Sequence, residues 1–244
     1  MPESAVVTDL LHQLAEGCRI LEMEGHGDMT LGHLSVRDPE SRGFWLKRNR
    51  AGLGEIVGPE DFVLLDLEGN QLAGDGGRHS EWPIHAEILK KRPDIAVVAH
   101  THPIHACVIS GSTDPLLPVT VDADYFVDLP RHAETSALIN TPALGADLAD
   151  ALGENVAVFM ANHGVTFCGT SVAHAICVGV FLEKACRAHL LAAGMQARWN
   201  LPSAEDRHRR HSQIMTPAHI EHSWNYFRRK LAASHGAGVP IFGA

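Results

Sequence analysis

Three histidines fall within six residues at His100, His102 and His105, directly behind the short apolar run Val97–Ala99. Side chains alternate along a strand, so His100 and His102 project from the same face. His163 follows a second apolar run, Val156–Met160, and Gly164 comes next. A glycine there lets the backbone turn sharply and come close to a ligand. Three neutral imidazoles leave coordination positions open, as catalytic metal sites do. The competing reading is chance, since the chain carries 17 histidines and short His-x-His pairs are weak motifs. His105 lies beyond Pro103 on the next helix and is read as a supporting or structural residue. Glu81 sits at a helix start, where the dipole favours an ionised carboxylate. An ordinary exposed first-turn glutamate is the alternative.

The elements that must carry these residues follow from periodicity and punctuation. The spacing predicts a helix over 7–24, with Leu10, Leu11, Leu14, Cys18 and Leu21 on one face and Gly25 ending it. Strands are expected within 29–38, 43–50 and 62–72, the last broken by a turn at Glu68-Gly69-Asn70. A helix opens near Ser80 and runs to about Lys91, where Pro93 stops it. Val97–Ala99 is a buried strand, and Pro103 suits the first turn of the following helix. Val156–Met160 and 165–170 are further strands. Ser171 then caps a long helix to about Ala193, with Val178, Phe181, Leu182 and Ala185 inward and Gly194 at its end. Residues 203–212 read as a polar connection, and 220–232 as a last amphipathic helix. Helices alternate with strands, several of them joined by short turns. That predicts an α/β protein with helices packed on a mixed sheet. No repeat, low-complexity tract or linker divides residues 1–244, so one domain is expected.

Composition narrows the function. The 244 residues are 45% hydrophobic and 20% charged, an ordinary globular balance. A net charge of −9 argues against nucleic acid or anionic membrane as partner. No apolar run is long enough to span a bilayer. Glu3 and Asp9 at the start do not fit a secretory signal. The five cysteines (Cys18, Cys107, Cys168, Cys177, Cys186) are dispersed. That fits reduced thiols and a cytoplasmic location.

Taken together, the segments "HSEWPIH" (79–85), "RPDIAVVAHTHP" (92–103) and "VFMANHGVTFCG" (158–169) resemble the class II aldolase/adducin family. The resemblance runs over about 7–193, with a helical C-terminal extension over about 204–244. It implies a single three-layer α/β/α sandwich on a mixed, largely antiparallel sheet. It also implies a divalent metal on His100, His102 and His163. Glu81 is then a metal ligand in the resting site and the acid/base during turnover. A homotetramer with active sites between subunits is implied too. Ligand type favours Zn²⁺, with Mn²⁺ as the alternative.

The sugar-phosphate members carry a phosphate cage from which this chain departs. A Thr/Gly-x-Gly-Asn turn reads Thr30-Leu31-Gly32-His33 here. Lys47, Arg48 and Arg50 stand where those members have a Thr-Pro-Thr-Gly-like turn, and His79-Ser80 replaces Ser-Ser. The tyrosine that serves the aldolases as acid falls near Ser136, and the only tyrosines are Tyr125 and Tyr226. These departures resemble the branch of metal-dependent decarboxylases acting on hydroxylated aromatic or related cyclic acids. The expected activity is decarboxylation of such a (di)carboxylic acid through a metal-stabilised enolate. His33, Ser80 and Arg48 or Arg50 are expected to orient a second carboxylate, Trp82 to wall off Glu81, and Asn162 to support its turn. Water-facing arginines are the alternative for Arg48 and Arg50. Two other functions stay open. One is a class II aldolase or epimerase acting on a sugar phosphate or sugar acid. The other is a non-catalytic adducin-like protein.

Overall fold

The computed structural model describes residues 4–236; the end of the expected C-terminal extension, 237–244, lies outside the described residues. Ser4 caps α1 (Ala5–Leu21) by accepting a hydrogen bond from the Val7 N–H. The regular helix ends at Leu21 and a π turn over Glu22–His26 follows, in which Gly25 takes the left-handed φ +91° that breaks the helical backbone. The strands are β1 (His33–Arg37), β2 (Phe44–Lys47), β3 (Phe62–Leu65), β4 (Gln71–Ala73), β5 (Val97–Thr101), β6 (Arg131–His132), β7 (Ala157–Met160) and β8 (Gly164–Gly169). The other helices are α2 (Trp82–Lys91), α3 (Ile104–Ser110), α4 (Pro142–Leu152), α5 (Val172–Ala193), α6 (Ala204–Ile214) and α7 (Pro217–Gly236).

The strands form one mixed sheet in the order β4-β3-β2-β1-β5-β8-β7-β6. Every neighbouring pair is antiparallel except β6 and β7. Alternation sends Leu34, Val36, Val97, Ala99, Val165 and Phe167 to one face, where α1, α3, α5 and α7 bury them. It sends Phe44, Leu46, Val63, Leu65, Val98 and Cys168 to the other, under α2 and α4. The result is the expected three-layer α/β/α sandwich. Register then sets the polar row that matters. His33 pairs with His100, and His100 with Thr166, so these side chains lie side by side on the α2/α4 face. No described helix is long and apolar enough to cross a membrane.

The expected polar connection at 203–212 is instead α6. Ser203 caps it, and Glu205 and Asp206 favour its first turn. Its inward face is charged rather than apolar. Arg207 and Arg210 both reach the buried Asp124 carboxylate, at 3.3 and 2.7 Å. Hydrophobic periodicity cannot report a helix held that way. Helix α4 has plain signals, with Thr141 as cap and Pro142 in the first turn.

One side chain fastens the two elements that carry the site. Arg37 Nη2 donates to the carbonyls of Leu89, Arg92 and Ile95 at 2.8, 3.2 and 3.1 Å. It thereby closes the end of α2 and the turn into β5. Arg37→Ala should cost about 1–3 kcal/mol, the scale for buried hydrogen bonds left unmade. Thermal denaturation should show the midpoint falling by several degrees with metal content unchanged. An unchanged midpoint would mean that these bonds contribute nothing.

Candidate metal centre

His100 and His102 approach each other at Nε2, 3.0 Å apart. His100 Nδ1 lies 3.0 Å from the Val165 carbonyl, and His102 Nδ1 lies 3.0 Å from Asp28 Oδ2. A carbonyl or carboxylate oxygen only accepts, so each Nδ1 carries the hydrogen. Each neutral ring then presents a lone pair at Nε2, and the two lone pairs face each other. That arrangement is repulsive unless a cation sits between them. The His163 ring stands 4.8 Å from that of His100 and 5.3 Å from that of His102. One ligand atom from each of the three lies within 4.8 Å of the others. Burial, with the neighbouring imidazoles, holds His100 well below the usual imidazole range and pushes His163 down to about 4. All of this suits neutral ligands, and the donor set fits a divalent cation.

Glu81 closes the opposite side. It occupies the cap position of α2 but makes no capping bond to its own helix. Its side chain crosses to the segment before α4, where Oε1 accepts the Ile139 N–H at 2.8 Å. Oε1 stands 3.9 Å from His163 Nε2, and Oε2 stands 3.8 Å from His100 Nε2 and 3.9 Å from His33 Nε2. Burial raises the pKa of this carboxyl, opposed by the Ile139 hydrogen bond. The His79 ring packs 3.9 Å from that of His33. The Glu81 N–H donates to His79 Nδ1 at 3.3 Å. Lys47 is fully buried nearby, donating to the carbonyls of Ala51 and Arg48, and burial lowers its pKa to about 8.

The structure gathers His33, Glu81, His100, His102 and His163 but not the other expected contacts. Arg48 is engaged with Asp61 at 3.0 Å. Arg50 and Ser80 are exposed, Arg50 on a turn at φ +61°. Trp82 does not wall off Glu81. It lies beneath the Arg78 guanidinium, at 5.1 Å, and against Gly69. Tyr125 stacks on Phe181 at 4.4 Å and bonds His219, while Ser136 is exposed. His105 holds the start of α3 through Glu183, which also accepts the Ala106 N–H at 3.0 Å. Asn162 takes φ +57° in the turn before Gly164. A side chain at Gly164 would meet the Thr101 carbonyl at 2.7 Å and the His102 ring at 2.6 Å. Sequence reasoning missed Asp28, and it missed His85, whose Nε2 lies 2.6 Å from His33 Nδ1. His85 lies four residues after Glu81, on the same helical face, a signal that was available. Asp28 gave none.

Residues 12–190 match the family described as Class II Aldolase and Adducin N-terminal domain. The chain belongs to the class II aldolase and adducin family. Among its relatives, the Meiotically up-regulated gene 14 protein of Schizosaccharomyces pombe is 28% identical over 75% of this chain and 72% of its own. A 3,4-dihydroxyphthalate decarboxylase of Arthrobacter keyseri is 30% identical over 70% of this chain and 73% of its own. Two solved structures share the class II aldolase fold. An aldolase II superfamily protein from Pseudomonas syringae superposes with a TM-score of 0.86 at 24% identity, over 95% of both chains. L-fuculose 1-phosphate aldolase from Glaciozyma antarctica PI12 gives 0.80 at 24% identity, over 97% of this chain and 95% of its own.

Asp28→Ala tests the orienting bond on His102. Loss of such an outer partner should weaken metal binding about 10–100-fold, read by competition with a chromophoric chelator. Wild-type affinity in this variant would remove Asp28 from the site.

Proposed function

We propose that this chain is a divalent-metal-dependent carbon–carbon lyase that decarboxylates a hydroxylated aromatic or related cyclic (di)carboxylic acid. The observation that carries this reading is the His33 imidazole, buried beside Glu81 and facing its carboxylate. A phosphate cradle at that place needs small neutral donors and close backbone N–H groups. A ring built into the wall suits a flat, oxygenated substrate better. The relatives described as dihydroxyphthalate decarboxylases support the same choice, as part of aromatic-compound catabolism.

A divalent ion held by His100, His102 and His163, with Glu81 as a further ligand in the resting site, supplies Lewis-acid stabilisation of negative charge on a substrate oxygen; imidazole suits Zn²⁺, and the carboxylate also accepts Mn²⁺. Glu81 gives up its place among the ligands when substrate enters and then handles the proton. Its Oε1 is taken by the Ile139 N–H, so Oε2 is the oxygen left to carry one. Burial favours that protonated form. As the bond from ring carbon to carboxylate breaks, its electron pair stays on the carbon and CO₂ leaves. The proton on Oε2 then passes to that carbon. His33 meets the substrate beside Glu81. Ser80, Arg48 and Arg50 lie outside this contact set within one chain.

A second reading is aldol cleavage or epimerisation of a sugar phosphate or sugar acid. Tyr226 favours it, because it is 52% exposed on α7 and free to reach a neighbouring subunit. The adducin-like reading is disfavoured by the presence of all three imidazoles and Glu81. We read residues 1–244 as one domain acting as a homo-oligomer, a tetramer by family habit. Ile104 and Val108, one turn apart on α3 just after His102, are 65% and 55% exposed and suit a subunit contact. Five unpaired thiols fit a cytoplasmic setting.

The deciding assay follows CO₂ from ortho-hydroxy aromatic dicarboxylates and dihydroxyacetone phosphate from fuculose 1-phosphate, with and without chelator. Chelator-sensitive CO₂ is expected; dihydroxyacetone phosphate instead would establish the aldolase. Glu81→Gln should retain most of the metal and lose about 100-fold or more in rate. Wild-type turnover in that variant would end the acid role. His100→Ala or His163→Ala should lose metal and activity together, by metal analysis and the same assay.

A further inference from the structure

Behind His33 runs a buried chain of hydrogen bonds to which the reaction above gives no part. His33 Nδ1 lies 2.6 Å from His85 Nε2, His85 Nδ1 lies 2.7 Å from Ser35 Oγ, and Ser35 Oγ stands 3.5 Å from the Val98 carbonyl. His33, His85 and Ser35 are all fully buried. The carbonyl at the end can only accept. It is served when the Ser35 hydroxyl points its hydrogen there, which leaves Ser35 to accept from His85 Nδ1–H. His85 Nε2 is then a lone pair. The hydrogen in the 2.6 Å contact therefore belongs to His33 Nδ1. His33 presents a bare Nε2 to the site. That atom is buried, has no hydrogen-bond partner among the described residues, and faces Glu81 Oε2 at 3.9 Å.

A second cation is the obvious alternative for this atom, because His33, His79 and Glu81 bring ligand atoms within 4.8 Å of one another. Electrostatics oppose it. The ammonium of Lys47, buried beside these rings, repels a second cation there. A neutral hydrogen donor meets no such opposition.

The geometry points to Ser35 and His85 as positioning residues that fix the His33 tautomer, so that His33 Nε2 accepts from a substrate hydroxyl and rejects an ionised carboxylate there. A carboxylate brings no hydrogen and would set its own lone pairs against the ring. The assignment deepens the lyase reading and rests on it for the substrate class alone. It also gives His33 a hydroxyl rather than the second carboxylate expected from sequence.

Long-range proton–nitrogen NMR on the zinc-loaded chain, labelled with nitrogen-15 histidine, reads which nitrogen of each ring carries hydrogen. His33→Gln and His85→Phe identify the two signals by their loss. The expected result is hydrogen on Nδ1 of both rings and a bare Nε2 on His33. Ser35→Ala should disturb that pattern and Ser35→Thr restore it, at unchanged zinc content. In calorimetry, 2,3-dihydroxybenzoate should bind the wild type about tenfold more tightly than its 3-O-methyl ether, the scale of one buried hydrogen bond. Ser35→Ala should erase that preference, and with turnover its cost should fall on KM more than on kcat. Hydrogen on His33 Nε2 in the wild type, or a preference untouched in a folded, zinc-replete Ser35→Ala, overturns the assignment. The NMR result stands whether or not the chain releases CO₂, so failure of the tautomer and failure of the lyase reading are told apart.

Discussion

Two lone pairs forced to face each other are the constraint around which this molecule is organised. Left alone, His100 and His102 would each turn a hydrogen toward the other ring or rotate away. The Val165 carbonyl and the Asp28 carboxylate forbid both by holding each Nδ1–H outward. The inward nitrogens are bare because of groups that never touch the site's interior. The fitness of this cluster for a cation thus depends on a strand partner and a loop carboxylate as much as on the facing rings themselves.

The sheet supplies the rigidity this requires. His100 lies within β5 between two antiparallel partners, so its backbone is fixed on both sides. His163 sits in the tight turn between β7 and β8, against which Gly164 lets the Thr101 carbonyl and His102 ring close in. Glu81 comes from the opposite layer and is pinned by a backbone N–H of the segment before α4. The site therefore draws one wall from the sheet and one from the helices above it. It stays together only while the α2/α4 layer is seated. That is the reason Arg37, well away from the imidazoles, belongs to the same construction.

Much of this was legible in the sequence, and the failures share a cause. The gathering of His100, His102 and His163 was readable because strand alternation and a following glycine are local facts. The α5 cap at Ser171 was readable for the same reason. The role of Asp28 was not, since it meets His102 across 74 positions of chain and its own neighbours say nothing of the contact. Helix α6 was hidden because ion pairs to Asp124 replace the apolar stripe that periodicity detects. Arg48 misled because its partner, Asp61, lies on a neighbouring segment, so a residue expected to meet substrate is spent on the scaffold. Trp82 misled because one step along a helix turns a side chain by about a quarter of a revolution.

The two ends of the sheet carry a further consequence. The outermost strands are only three and two residues long, β4 at one side and β6 at the other. Strand β6 also runs parallel to its neighbour, against the sense of every other pair. A sheet border offers unpaired amides to any extended chain that passes, and a long straight border is an invitation to stack. Here the borders are too short to template a foreign strand, even though β4 displays Leu72 to solvent. Among the described residues the eight-stranded sheet thus ends in blunt margins, which offer little length for fibrillar stacking to build on.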